Sequence, residues 1–158
     1  MKKHWHIWVG VGAIALAVLT VLGVIFLPRL VAKSNMKEIL LLAADPESQY
    51  VRLSAPTFKH EGLLAGEGRD LVLTGELLDS TRAALSSLAK DFSYKGKDNA
   101  LAGVFGLHLL VKTAKGDILK LYLNEADFYA ELNGVMYFFT PGDAQGYAVL
   151  YRALQAAF

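Results

Sequence analysis

Val104 to Asn124 reads VFGLHLLVKTAKGDILKLYLN, two β-strands around a short turn. Phe105, Leu107, Leu109 and Val111 alternate along the first half, and Leu119, Leu121 and Leu123 along the second. Successive side chains of a strand point to opposite faces, so each set marks one face. The two sets share a face only when Val111 lies opposite Leu119, Leu109 opposite Leu121 and Leu107 opposite Leu123. That register leaves a three-residue loop, Ala114-Lys115-Gly116. Such a loop is a type I turn followed by a left-handed residue, and Gly116 stands where that residue falls. A two-residue loop at Lys115-Gly116 would set Val111 against Lys120 and spoil the face. The reverse face then carries His108, Leu110 and Lys112 against Ile118, Lys120 and Tyr122, with His108 beside Tyr122.

A second hairpin follows. Asn133-Gly134 is a type I′ turn signal. It pairs Leu132 with Val135, Ala130 with Tyr137 and Phe128 with Phe139. The other face pairs Tyr129 with Phe138 and Glu131 with Met136, and Glu131 marks it as the wetter one. Pro141-Gly142 breaks the sheet. Asp143 caps a last helix to about Ala157, with an apolar stripe of Tyr147, Leu150, Tyr151, Leu154 and Phe158.

Upstream, Thr74 is placed to cap a helix that Lys90 closes, with Glu76 favourable in the first turn. Leu77, Leu78, Thr81, Ala84, Leu85 and Leu88 give it one apolar face. Asp91 to Gly103 reads as a loop holding a short strand at Phe92 to Tyr94. Gln49 to Phe58 reads as a strand, with Tyr50, Arg52 and Ser54 alternating against Val51, Leu53 and Ala55. Pro56 within that run points to an edge strand. Glu61 to Asp70 holds three glycines and reads as a loop, followed by a short strand at Leu71 to Leu73.

The N-terminal part is of another kind. Ile7 to Leu27 (IWVGVGAIALAVLTVLGVIFL) has no charged residue, and Thr20 is its clearly polar one. At about 1.5 Å per residue it spans roughly 31 Å, close to the ~30 Å hydrocarbon core of a bilayer. Trp5 and Trp8 mark the leading interface, and Pro28 and Arg29 end the apolar run. A cleaved signal peptide has a shorter apolar core and a small-x-small site. Leu30-Val31-Ala32 offers a large residue at the first small position, so an uncleaved anchor is expected. Lys2, Lys3 and the chain amine nearly balance Arg29, Lys33 and Lys37. The short head suits a signal anchor with the bulk of the chain extracytoplasmic. Gly10, Ala13, Ala17 and Thr20 form a small-residue stripe of the kind used in weak helix self-association.

These readings divide the chain into a head (1–6), a transmembrane helix (7–27), a stem helix and linker (28–47) and a globular domain (48–158). The expected class is α+β: an N-terminal transmembrane helix followed by a small antiparallel-sheet domain with two packed helices. The arrangement is common to many unrelated proteins and points to no one family. The expected location is the cell membrane, single-pass, with the bilayer contacted through residues 7–27.

Charge narrows the partners. Setting aside Lys2, Lys3, Arg29 and Lys33 leaves 12 basic residues against 15 acidic ones, a net charge of −3 after Lys33. A mildly acidic domain does not suit nucleic acid, which calls for a clustered basic face. With Cys 0, disulfides, thiolate catalysis and Cys-ligated zinc are excluded.

No motif of established chemistry emerges. Gly66-Glu67-Gly68 continues as Arg69-Asp70-Leu71, which is neither a dinucleotide fingerprint nor a Walker loop. His4 and His6 lack a third ligand nearby, and His60-Glu61 lacks the second histidine of a zincin. Ser80, Ser86 and Ser87 have no histidine at helical spacing, and Glu125 and Asp127 read as turn residues. No catalytic residue, metal or cofactor is therefore assigned. The candidate binding residues are His108, Lys112, Lys120, Tyr122, Tyr129, Glu131, Met136 and Phe138, the wetter faces of the two hairpins. Whether helices cover that face is left open by the sequence. The leading expectation is a binding, sensing or interaction module with a protein partner or an envelope component. An envelope enzyme using His60, Glu61, Asp70 and His108, or a structural subunit whose membrane helix is the interface, are the alternatives.

Overall fold

A computed structural model describes residues 5–55, 69–98, 106–132 and 135–157. Its elements are α1 (Trp5–Ala43), β1 (Tyr50–Ala55), β2 (Arg69–Val72), α2 (Gly75–Leu88), β3 (Phe92–Asp98), β4 (Leu107–Lys112), β5 (Ile118–Leu123), β6 (Phe128–Leu132), β7 (Val135–Pro141) and α3 (Ala144–Ala156). The seven strands form one antiparallel sheet in the order β2-β1-β4-β5-β6-β7-β3. The class is α+β, with the long apolar helix first and two further helices behind the sheet.

Both hairpin registers follow from side-chain period. Val111 pairs with Leu119, Leu109 with Leu121, Leu107 with Leu123 and His108 with Tyr122. Gly116 has φ +92°, the left-handed residue that the three-residue loop requires. Its N–H donates to the Thr113 carbonyl at 3.0 Å, closing the turn. In the second hairpin Phe128 pairs with Phe139, Tyr129 with Phe138, Glu131 with Met136 and Leu132 with Val135. The Asn133-Gly134 turn itself lies outside the described residues.

All helices lie on one face of the sheet. There, Val51, Leu53, Leu109, Val111, Leu121, Leu123, Phe128 and Phe139 meet Met36, Leu40, Leu85, Leu150 and Leu154 in one core. The rings of Phe92, Phe128 and Phe139 pack with centroids 5.5–5.9 Å apart. The expected apolar face of α2 is the one that faces inward: Thr81, Leu85 and Leu88 are buried, and Leu77, Leu78 and Ala84 partly so. On α3, the Asp143 carboxylate accepts from the Gly146 N–H at 2.9 Å, an N-terminal cap, and Tyr147, Leu150 and Leu154 are buried.

α1 is one helix of 39 residues. From Ile14 (66% exposed) to Val31 (54% exposed) its apolar side chains are bare. At Ala32 the pattern changes, and Ala32, Met36, Leu40 and Ala43 form a face that is 0–2% exposed against the domain. Lys33 Nζ lies 5.5 Å from the centroid of the Phe92 ring, and the Gln49 N–H donates to the Lys112 carbonyl at 2.8 Å. The helix therefore crosses the sheet from the end at Phe92, where it enters, to the far end at Tyr50 and Lys112.

Pro28 lies inside α1, and the stem continues from the apolar segment without a break. Several expectations are corrected. The first strand is not an edge: β1 pairs with β2 on one side and β4 on the other. β1 spans Tyr50–Ala55. Thr74 occupies the N-cap position, but its side chain makes no cap hydrogen bond, and Gly75 adopts φ +57° there. The strand at Phe92 runs on to Asp98, seven residues, because a register shift between Tyr94 and Gly96 takes up the irregular stretch. His4, Pro56, His60, Glu61, Gly66, Gly103, Val104, Phe105 and Phe158 lie outside the described residues.

Candidate functional site

The face of the sheet opposite the helices is covered by no described helix or strand. Its composition follows from strand alternation. On β4 the buried Leu107, Leu109 and Val111 alternate with partly exposed His108, Leu110 and Lys112. The pairing carries this alternation across the sheet and brings all eight candidate residues onto one face.

One row runs Asp70, Ser54, His108, Tyr122, Tyr129, Phe138, each the cross-strand partner of the next. Its rings meet edge to face: His108 and Tyr122 have centroids 4.7 Å apart at 78°, and Tyr129 and Phe138 4.7 Å apart at 90°. Such pairs contribute about 0.5–1.5 kcal/mol beyond their area burial. A second row holds Val72, Arg52, Leu110 and Lys120, and Glu131 with Met136 continues the face on β6 and β7. At the far end Tyr50, Lys112 and Ile118 lie side by side, with Lys112 Nζ 6.0 Å from the Tyr50 ring centroid.

The members of this face on β1 and β2 are absent from the candidate residues of the sequence reading, Tyr50 and Arg52 among them. Tyr50 and Arg52 alternate outward on β1, as their spacing shows, but nothing local reveals that β1 pairs with β4. Arg52 Nη1 lies 3.4 Å from Asp70 Oδ2, with both side chains nearly half exposed. A pair so exposed contributes little to stability. Burial pushes the Tyr122 phenol above its ordinary value, and the charge of Glu131 pushes it the same way. Tyr122 is neutral at physiological pH and offers a hydroxyl for hydrogen bonding.

At the entry end a polar cluster joins the two layers. Tyr147 Oη lies 2.9 Å from the Asn124 carbonyl and 2.8 Å from that of Asp127, and its single proton is shared between them. Thr140 Oγ1 donates to Asp127 Oδ1 at 3.0 Å, Asn124 Nδ2 donates to Tyr129 Oη at 3.1 Å, and Lys95 Nζ lies 3.6 Å from Asp127 Oδ1. The Tyr147 phenol is held far above its ordinary value, chiefly by burial. With its hydroxyl committed to these carbonyls, Tyr147 acts as a structural clasp. Between α2 and α3 lies a cleft of about 270 Å³, lined by Ala84, Leu88, Asp91, Asp143, Tyr147 and Leu150.

Among the described residues no group of three or more His, Asp or Glu side chains could hold a metal ion. Asp70 and His108 share a row, separated by Ser54, while His60 and Glu61 lie outside the described residues. On α1, Thr20 Oγ1 donates to the Leu16 carbonyl of its own helix at 2.8 Å. No protein-family model, curated protein or solved structure matches the chain.

Proposed function

We propose that this is a single-pass membrane protein that holds a small extracytoplasmic domain against the bilayer surface and binds a partner through the open face of its sheet. The observation that carries the anchoring is α1. One helix is bare over a length and composition able to cross a membrane, then buries Ala32, Met36, Leu40 and Ala43 in the domain. From Leu27 to Ala32 is five residues, roughly 8 Å along a helix, so the domain stands at the headgroups. The binding role is supported by the open face, where rings and cations are grouped while the apolar core faces the helices. Association of α1 with a second copy through Gly10, Ala13, Ala17 and Thr20 is a subsidiary part of the proposal.

The test is site-specific photocrosslinking in native membranes. A benzophenone amino acid at Tyr122 or Met136 is expected to give a discrete adduct, whereas one at Val149, exposed on α3, gives none. Equal labelling from Val149 and the open face, or none from either, contradicts the proposal. Resistance of the protein to extraction at alkaline pH tests the anchor separately.

A further inference from the structure

In the far half of the open face, β1, β4 and β5 form a depression of about 430 Å³, within the ~300–1,000 Å³ typical of small-ligand pockets. Its floor is apolar, made by Leu110, Ile118 and the rings of Tyr50 and Tyr122. Its cations are Arg52 and Lys120, with Lys112 beside Tyr50. Lys112 and Lys120 enter no ion pair among the described residues. Arg52 is engaged by Asp70 through Nη1, which leaves part of its guanidinium edge without an ion pair among the described residues. Glu131 acts on the opposite flank, beside Tyr122.

We infer that this depression binds an organic anion, a carboxylate- or phosphate-bearing molecule with a flat apolar body. The body rests on Leu110 and Ile118 between the two tyrosine rings, and the charged group meets Arg52, Lys112 and Lys120. Arginine offers planar donors suited to carboxylate and phosphate, and lysine adds point charge. The inference rests on the proposal that the open face is a binding surface, and it adds the ligand class. It also fixes the source. Tyr50 and Lys112 lie at the end of the sheet away from the entry of α1, so the anion comes from the aqueous phase and not from a lipid headgroup of the anchoring bilayer.

The experiment uses the full chain in nanodiscs of phosphatidylcholine, with empty discs as the blank. The probe is 4-methylumbelliferyl phosphate, and the neutral 4-methylumbelliferyl methyl ether is its control. Saturable binding of the phosphate is expected, weaker at higher salt. Arg52→Gln and Lys120→Glu should each weaken it by about tenfold or more, the scale of one lost hydrogen bond to a charged group. Lys97→Gln, on β3 at the opposite edge, should leave it unchanged. Near-UV circular dichroism matching the parent protein shows that each variant is folded. Equal binding of the neutral ether, or unchanged affinity in both charge variants, overturns the inference. Repeating the titration in phosphatidylglycerol discs is expected to give the same affinity, and competition by that lipid overturns the aqueous source. Adducts at Tyr122 without probe binding would sink the anion assignment while leaving the open-face proposal standing.

Discussion

Replacing Gly116 by Val isolates the backbone strain of the β4–β5 turn. Gly116 has φ +92°, and a Cβ built there meets nothing within 4 Å. Steric conflict with neighbours therefore contributes nothing, and the cost is that of holding a residue with a Cβ in left-handed backbone, about 1–2 kcal/mol. Val belongs at the upper end because its branched side chain tolerates this region poorly, and Asn at the lower end because it visits it more readily. The expected order of destabilisation is Gly116→Val, then Gly116→Ala, then Gly116→Asn. Urea unfolding of the full chain in nanodiscs, followed by near-UV circular dichroism, measures it. With a slope of about 1–3 kcal/mol per molar urea, a cost of about 2 kcal/mol should lower the Val midpoint by roughly 0.7–2 M. A Val variant within about 0.3 kcal/mol of the parent, or an Asn variant as damaged as Val, would refute the three-residue turn and the register resting on it.

Leu40→Ala should cost about 2–5 kcal/mol in the same assay, because Leu40 is 0% exposed, whereas Leu41→Ala, 47% exposed, should stay within about 0.5 kcal/mol. Gly106→Ala should cost about 1–3 kcal/mol, since the added methyl runs into the Leu123 carbonyl and the Asn124 side chain, and the carbonyl cannot move aside. Tyr147→Phe removes the clasp to Asn124 and Asp127 and should cost about 1–3 kcal/mol at neutral pH. The phenol is raised in the folded chain, so its contribution is complete below the unfolded value of about 10 and is lost as pH climbs toward the folded value. Stability of the parent should therefore fall with a steeper slope above about pH 10 than that of Tyr147→Phe, and equal slopes in a pH series of urea curves would contradict this.

The parts legible in the sequence were those set by a short period and a local signal. Alternation of Leu107, Leu109 and Val111 against Leu119, Leu121 and Leu123, with Gly116 to place the turn, determines a register without tertiary knowledge. The α2 and α3 faces are legible for the same reason at helical period. What was hidden depends on contacts distant in sequence. Pro56 suggested an edge, but the edge is decided by whether β2 pairs beyond β1. The run at Lys95, Gly96 and Lys97 has weak strand propensity and becomes β3 only by pairing with β7 through a bulge. Which hairpin face the helices cover was undecidable locally, because both faces carry leucine or aromatic residues. The outward face was legible residue by residue on β4 to β7, and Tyr50 and Arg52 joined it only through the pairing of β1 with β4.

One helix is proposed both to cross the membrane and to form part of the domain core. The chain has no native cysteine, so single cysteines placed along α1 report alone. In membranes, a water-soluble maleimide should label Lys37→Cys readily. It should not label Leu22→Cys until detergent is added, and should not label Met36→Cys until urea unfolds the domain. Labelling of Met36→Cys as fast as Lys37→Cys would show a free stalk, and labelling of Leu22→Cys in intact membranes would show that α1 does not cross the bilayer.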